Sequence, residues 1–135
     1  MELDVFDEIQ RLRQLGQKGA LATVVRVPGA DTGFRTSKML IRDDGSRLGS
    51  IGNDSVEAEV CTAAQAVIRE EKSRVIRFEK MDIFIEPILP VPRIVIFGAG
   101  HIALQLSKIA TIAGFRSTIV DDRPEFASID RFPEA

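Results

Sequence analysis

At 135 residues the chain has the length of one ordinary domain, and a hydrophobic content of 44% suffices for a core, which argues against global disorder. With 28% charged residues, a net charge of −2 and no basic run, nucleic acid is not an expected partner. The single cysteine, Cys61, rules out an internal disulfide framework and a CxxC zinc site. The acidic opening MELDVFDEIQ does not read as a signal peptide, and no run approaches the roughly 18 apolar residues of a membrane span. The expected setting is therefore a reducing cytoplasm with no membrane contact.

In chain order, Val5, Ile9, Leu12 and Leu15 recur at helical steps, Asp4 can cap the start, and Gly16 and Gly19 bracket the end, so 4–17 is expected to be a helix. Residues 20–27 are apolar and β-branched and predict a buried strand. Residues 28–37 have the composition of a loop, with Arg35 inside it and Lys38 just after it. Residues 38–42 and 47–51 flank Asp43-Asp44-Gly45-Ser46, and Asp-Gly between short apolar runs signals a hairpin. Asn53 or Asp54 can cap a second helix that Glu57 closes as a capping box, carried to about residue 71 by Val56, Val60, Ala64, Val67 and Ile68. Cys61 lies on that helix among apolar neighbours and reads as a small core residue. Residues 74–78 and 82–86 predict two more strands.

Pro87, Pro90 and Pro92 then predict an extended linker over 87–92, because proline removes donors and disfavours helix before it. Residues 1–86 would form a small α+β domain with mixed or antiparallel pairing. Residues 93–135 would begin a Rossmann-like parallel sheet: strand 94–97, a glycine turn, a helix, and strand 117–120 ending on Asp121. The fold class expected is thus α/β, with an α+β amino-terminal domain followed by a β-α-β start.

In that second segment Gly98 lets the chain turn after the strand, Gly100 lets a phosphate-bearing ligand approach the backbone, and Ala103 lets helix and strand pack closely. The helix start offers free amides and a positive dipole end to an anion. Asp121 lies 23 positions after Gly98, near the roughly 20 at which an acid meets a ribose hydroxyl in dinucleotide folds. His101, the one histidine, is either a helix-start residue bonded to a carbonyl or a ligand-contacting group. Gly49 to Glu57 forms a second glycine turn opening a helix, either a plain cap or an anion holder, and Arg35 and Lys38 are solvated charges or clamps for an acidic ligand. No metal site is expected, because there is one histidine and no acid pair at ligand spacing. No Ser–His–Asp or Cys–His arrangement is readable.

The succession LATVVRVPG, KMLIRDDGSRLGSIG, VE, IEPILPVPRIVIFGAGHIA, GF, DDRPEFA and RFPEA resembles the XdhC/CoxI family over about residues 20–135, most specifically in FGAGHIA with DDRPEFA. These are accessory proteins of molybdenum hydroxylases such as xanthine dehydrogenase and carbon monoxide dehydrogenase. The resemblance implies a non-catalytic factor, cytoplasmic and homodimeric, that binds molybdenum cofactor and helps deliver it to a client hydroxylase. By the same resemblance Gly98, Gly100, His101 and Asp121 match the Rossmann-side motif. Gly49, Gly52 and Glu57 match the amino-terminal one, with Asn53, Asp54 and Ser55 between them as further cofactor-binding candidates. The chain departs from the family where Ser55 stands at the place of a cysteine, since a hydroxyl neither carries sulfur nor binds molybdenum as a thiolate does. It departs again over Pro28–Ser37. Two parallel strands and one helix leave sheet surface uncovered, so the expectation is a piece of a longer protein or a sheet completed by another chain. An NAD(P)-binding oxidoreductase and a scaffold that binds no cofactor are the alternatives.

Overall fold

The computed structural model describes residues 4–26, 37–52 and 54–135. Helix α1 (Val5–Gln14) starts where Asp4 accepts the Phe6 amide at 3.2 Å and stops just before Gly16, which takes a positive φ of 75°. Strand β1 (Gly19–Arg26) follows, then β2 (Lys38–Arg42), β3 (Arg47–Gly49), helix α2 (Asp54–Glu70), β4 (Arg74–Phe78) and β5 (Met81–Ile88). Most of the expected loop 28–37, with Arg35, lies outside the described residues.

The five strands form one sheet in the order β3-β2-β1-β5-β4, and every pairing is antiparallel. The two faces follow from the strand period of two. Ala20, Ala22 and Val24 of β1 share a buried cluster with Met39, Ile41, Ile83 and Ile85 and with Val56, Val60, Ala64 and Val67 of α2. The alternate residues Leu21, Leu40 and Ile88 pack instead with Leu12 of α1. The β2–β3 hairpin turns where Asp44 Oδ1 accepts the Ser46 amide at 2.9 Å and Gly45 takes φ +86°. Gly49 is required by close approach: at φ +87° a Cβ there would lie 2.5 Å from the Lys38 carbonyl oxygen.

Helix α1 and strand β3 end three and two residues earlier than their expected ends at 17 and 51, and the linker boundary also differs. The three prolines predict a linker from Pro87, yet β5 continues through Pro87 and Ile88, which pair with Ala20 and Gly19. Pairing with β4 stops at Ile85, so among the described residues no strand pairs with that edge of β5 beyond it, and a missing proline donor is tolerated there. The chain divides into two compact units, Met1–Pro90 and Val91–Ala135.

The second unit is a β-α-β element. Strands β6 (Arg93–Phe97) and β7 (Arg116–Val120) pair in parallel, from Arg93 opposite Arg116 to Phe97 opposite Val120, and helix α3 (His101–Ile112) connects them. Ile96, Ala99, Ala103 and Phe132 make its small core, and the buried hydroxyls of Ser107 and Ser117 bond at 3.2 Å to tie α3 to β7. Phe97, Ile102 and Ile112 are largely exposed. Among the described residues no helix is long and apolar enough to cross a membrane.

Candidate functional site

The glycine turn between β6 and α3 is built in three steps. Gly98 leaves the strand at φ +100° and donates its amide to Val120 O at 2.7 Å, which keeps the turn against the end of β7. Gly100 is the N-cap of α3, with extended backbone (φ −82°, ψ −164°) and no side-chain cap. The first intrahelical bond runs from the Leu104 amide to Gly100 O at 3.2 Å, so the amides of 101–103 lie outside that ladder and end the helix with a partial positive charge. No acidic residue occupies this first turn. A Cβ placed on Gly100 meets nothing within 4 Å, so neither backbone conformation nor packing demands glycine there. His101 is the exposed first residue of α3, and Ala103 is buried in the core.

Asp121, at the end of β7, does not stand free. Oδ2 accepts the Ala99 amide at 2.7 Å and Arg123 Nη2 at 2.9 Å, while Oδ1 accepts the Arg123 amide and Nε at 2.9 Å each. These four bonds fill the acceptor capacity of a carboxylate, so a ribose hydroxyl finds no vacant oxygen lone pair. The Arg123 guanidinium, then the Ala99 and Arg123 amides, hold its carboxyl far below the usual range. The Ala99 carbonyl is taken as well, by Arg131 Nη1 at 2.8 Å. Gly98, Gly100, His101 and Asp121 are thus brought to one turn, with Asp121 turned inward onto the loop. Arg123 and Arg131 are not among the residues that the sequence singles out. Their signal is DDRPEFA and RFPEA, which carry the family resemblance but no assigned chemistry.

The other glycine turn belongs to the first unit. Gly52 has φ +146°, Asn53 lies outside the described residues, and Asp54 and Ser55 are exposed on the first turn of α2. Glu57 reaches back and accepts Ser50 Oγ at 2.5 Å and the Ile51 amide at 3.1 Å, with Arg47 at 3.4 Å. The Ser50 hydroxyl, the amides of Ile51 and Gly52, and Arg47 together lower its pKa. Glu57 therefore closes the start of α2 onto the preceding turn. Glu57→Ala is expected to lower stability by about 1–2 kcal/mol, read as a drop in thermal midpoint, because the Ile51 amide loses its acceptor. Lys38 donates to Thr23 Oγ1 at 3.2 Å, and Cys61 is half-buried against the α2 core. Among the described residues no three His, Cys, Asp or Glu side chains gather as a metal site.

Comparison with known proteins matches residues 12–79 to the XdhC and CoxI family and residues 94–135 to the XdhC Rossmann domain. The chain is 27% identical over 146 aligned positions to the uncharacterized protein YqeB of Escherichia coli K12, covering 97% of this chain and 27% of that protein. It is 37% identical over 54 residues to a protein of Bacillus subtilis 168 described as a probable subunit of xanthine dehydrogenase, covering 40% of this chain and 16% of that protein. A crystal structure of a xanthine dehydrogenase from Bacillus halodurans aligns over 98% of this chain and 67% of that one, with a TM-score of 0.49 at 16% identity. The chain thus spans about a quarter or less of the curated relatives it matches. With a match to the amino-terminal family over half its length and a match to the family's Rossmann domain over most of the rest, this chain belongs to the XdhC and CoxI family.

Proposed function

We propose that the protein is an accessory factor of a molybdenum hydroxylase of the xanthine dehydrogenase type, and that it holds molybdenum cofactor by its phosphate at the Gly98–His101 turn. The observation that carries the reading is the open amino end of α3: uncapped amides, no acid in the first turn, and a Gly100 that the fold itself does not require. A phosphate ester fits that donor set, because backbone amides and a helix dipole offer donors and partial positive charge. The relation to a probable component of xanthine dehydrogenase supports the choice of client.

When bound, the cofactor supplies the redox chemistry of the client enzyme. The contribution of this chain is to grip the phosphate and to keep the turn in shape. Ser55 offers a hydroxyl where the family has a thiol, so the role proposed here is binding and hand-over, with no sulfur carried at that position. A dinucleotide is the weaker ligand, since the acid that would read its ribose is occupied by Ala99 and Arg123.

The test is anaerobic gel filtration of the purified protein with molybdenum cofactor, followed by molybdenum and pterin analysis of the protein peak. Stoichiometric co-elution, together with faster activation of the cofactor-free hydroxylase, is the expected result. No co-elution would remove the proposal, and saturable NADH binding in its place would favour an oxidoreductase.

A further inference from the structure

We infer that Asp121 and Arg131 form a two-sided clamp on the Ala99 backbone, one on each of its flanking peptides, that presets the glycine turn for its ligand, both acting as positioning residues. The inference deepens the cofactor-binding proposal and rests on it. Each residue contributes one backbone N–H and one C=O, which lie in the two peptide units flanking its Cα, and at Ala99 both are held by side chains from the segment after β7. The Ala99 amide donates to Asp121 Oδ2 at 2.7 Å, and the Ala99 carbonyl accepts Arg131 Nη1 at 2.8 Å. Charge-assisted bonds of this length are the stronger kind.

Both arms are themselves fixed. Arg123 holds the Asp121 carboxylate through its Nε and Nη2 and lies 3.9 Å over the Phe126 ring. Arg131 Nη1 also donates to the Phe126 carbonyl at 2.9 Å, and its guanidinium sits 5.0 Å from the Phe126 ring and 5.5 Å from the Phe132 ring. Phe132 is buried beside Ala99 in the core of the unit. Ala99 stands between two glycines beside which a Cβ would meet nothing within 4 Å, so local sterics leave the turn loose. Without the clamp, binding would have to order it at a cost in conformational entropy. The clamp also gives Asp121 a role other than reading a ribose.

The experiment compares Arg131→Ala, Arg131→Lys, Asp121→Asn and Ile119→Ala in the purified protein. The last variant weakens the same small core without touching either bond. Two quantities are read: hydrogen exchange of the Ala99 amide, and affinity for molybdenum cofactor. Arg131→Ala and Asp121→Asn are expected to speed Ala99 exchange and to weaken cofactor binding by about tenfold or more, the size of one lost charge-assisted bond. Arg131→Lys keeps one donor and recovers part of both. Ile119→Ala lowers the thermal midpoint with affinity retained. Unchanged Ala99 exchange in Arg131→Ala overturns the clamp. So does an Ile119→Ala variant that loses as much affinity, because the effect would then be general destabilisation. If the unaltered protein binds no cofactor, the functional proposal falls separately, and the exchange rates alone decide whether the clamp exists.

Discussion

Gly100→Val is expected to abolish cofactor binding while leaving the protein folded. The two outcomes separate because of what surrounds that residue. Its backbone, at φ −82° and ψ −164°, suits any L-amino acid, and a Cβ there meets nothing within 4 Å. Valine at this N-cap therefore costs about 1 kcal/mol or less. The same side chain would occupy the space through which the proposed phosphate reaches the amides of 101–103, so affinity should fall on the order of a hundredfold or more. Isothermal titration with molybdenum cofactor measures the loss, and circular dichroism checks the fold. Gly98→Val is a poorer probe, because φ +100° strains any side chain there and mixes folding with binding. Retained affinity in a folded Gly100→Val protein would move the ligand site elsewhere.

The largest stability effect is expected at Glu8. Its side chain is 1% exposed, and it accepts Arg11 Nε and Nη2 and Arg42 Nε, each at 2.8 Å. The hydrogen bonds from Arg11 and Arg42 outweigh the cost of burial and lower its pKa to about 2. Arg11 is more than half exposed and Arg42 much less so, which makes Arg42 the partner that matters for the buried charge. Arg42→Ala should cost about 3 kcal/mol, because a buried carboxylate stripped of one partner is poorly compensated. The chain has no Trp or Tyr, so far-UV circular dichroism during urea unfolding is the suitable readout.

The pH dependence follows from the direction of the Glu8 shift. A carboxyl whose folded pKa lies below its unfolded value of 4.5 contributes its stability in full above that value. The contribution is lost as pH falls from there toward about 2. The amino-terminal unit should therefore weaken across that window, and Arg42→Ala should flatten the dependence. An Arg42→Ala protein with unchanged urea midpoint and pH profile would show that Arg11 alone satisfies Glu8.

Much of the architecture is legible locally. Helix α1 is visible in its stripe and its Asp4 cap, the β2–β3 hairpin in Asp-Gly, α2 in its apolar stripe, and the β-α-β element in FGAGHIA between two apolar runs. These signals act between residues a few positions apart, so they are readable before any fold is known. Even there the apolar stripe misassigns one position: Leu15 falls past the end of α1 and is 57% exposed, while the charged Glu8 is buried. Burial of Glu8 depends on Arg42, 34 positions later on a neighbouring strand. Pro87 reads as a linker signal until the sheet pairs it with Ala20 beyond the last residue that β4 reaches. The sequence likewise determined that an acid ends β7 after a glycine turn, since spacing alone brings Asp121 close to it. What that acid does follows from long-range contacts. Its partners are the Ala99 amide 22 positions back and Arg123, and the Ala99 carbonyl is met by Arg131, 32 positions on. Spacing puts groups within reach of each other, but a carboxylate has a fixed number of acceptor sites, and the donors that fill them are chosen by how the chain folds back.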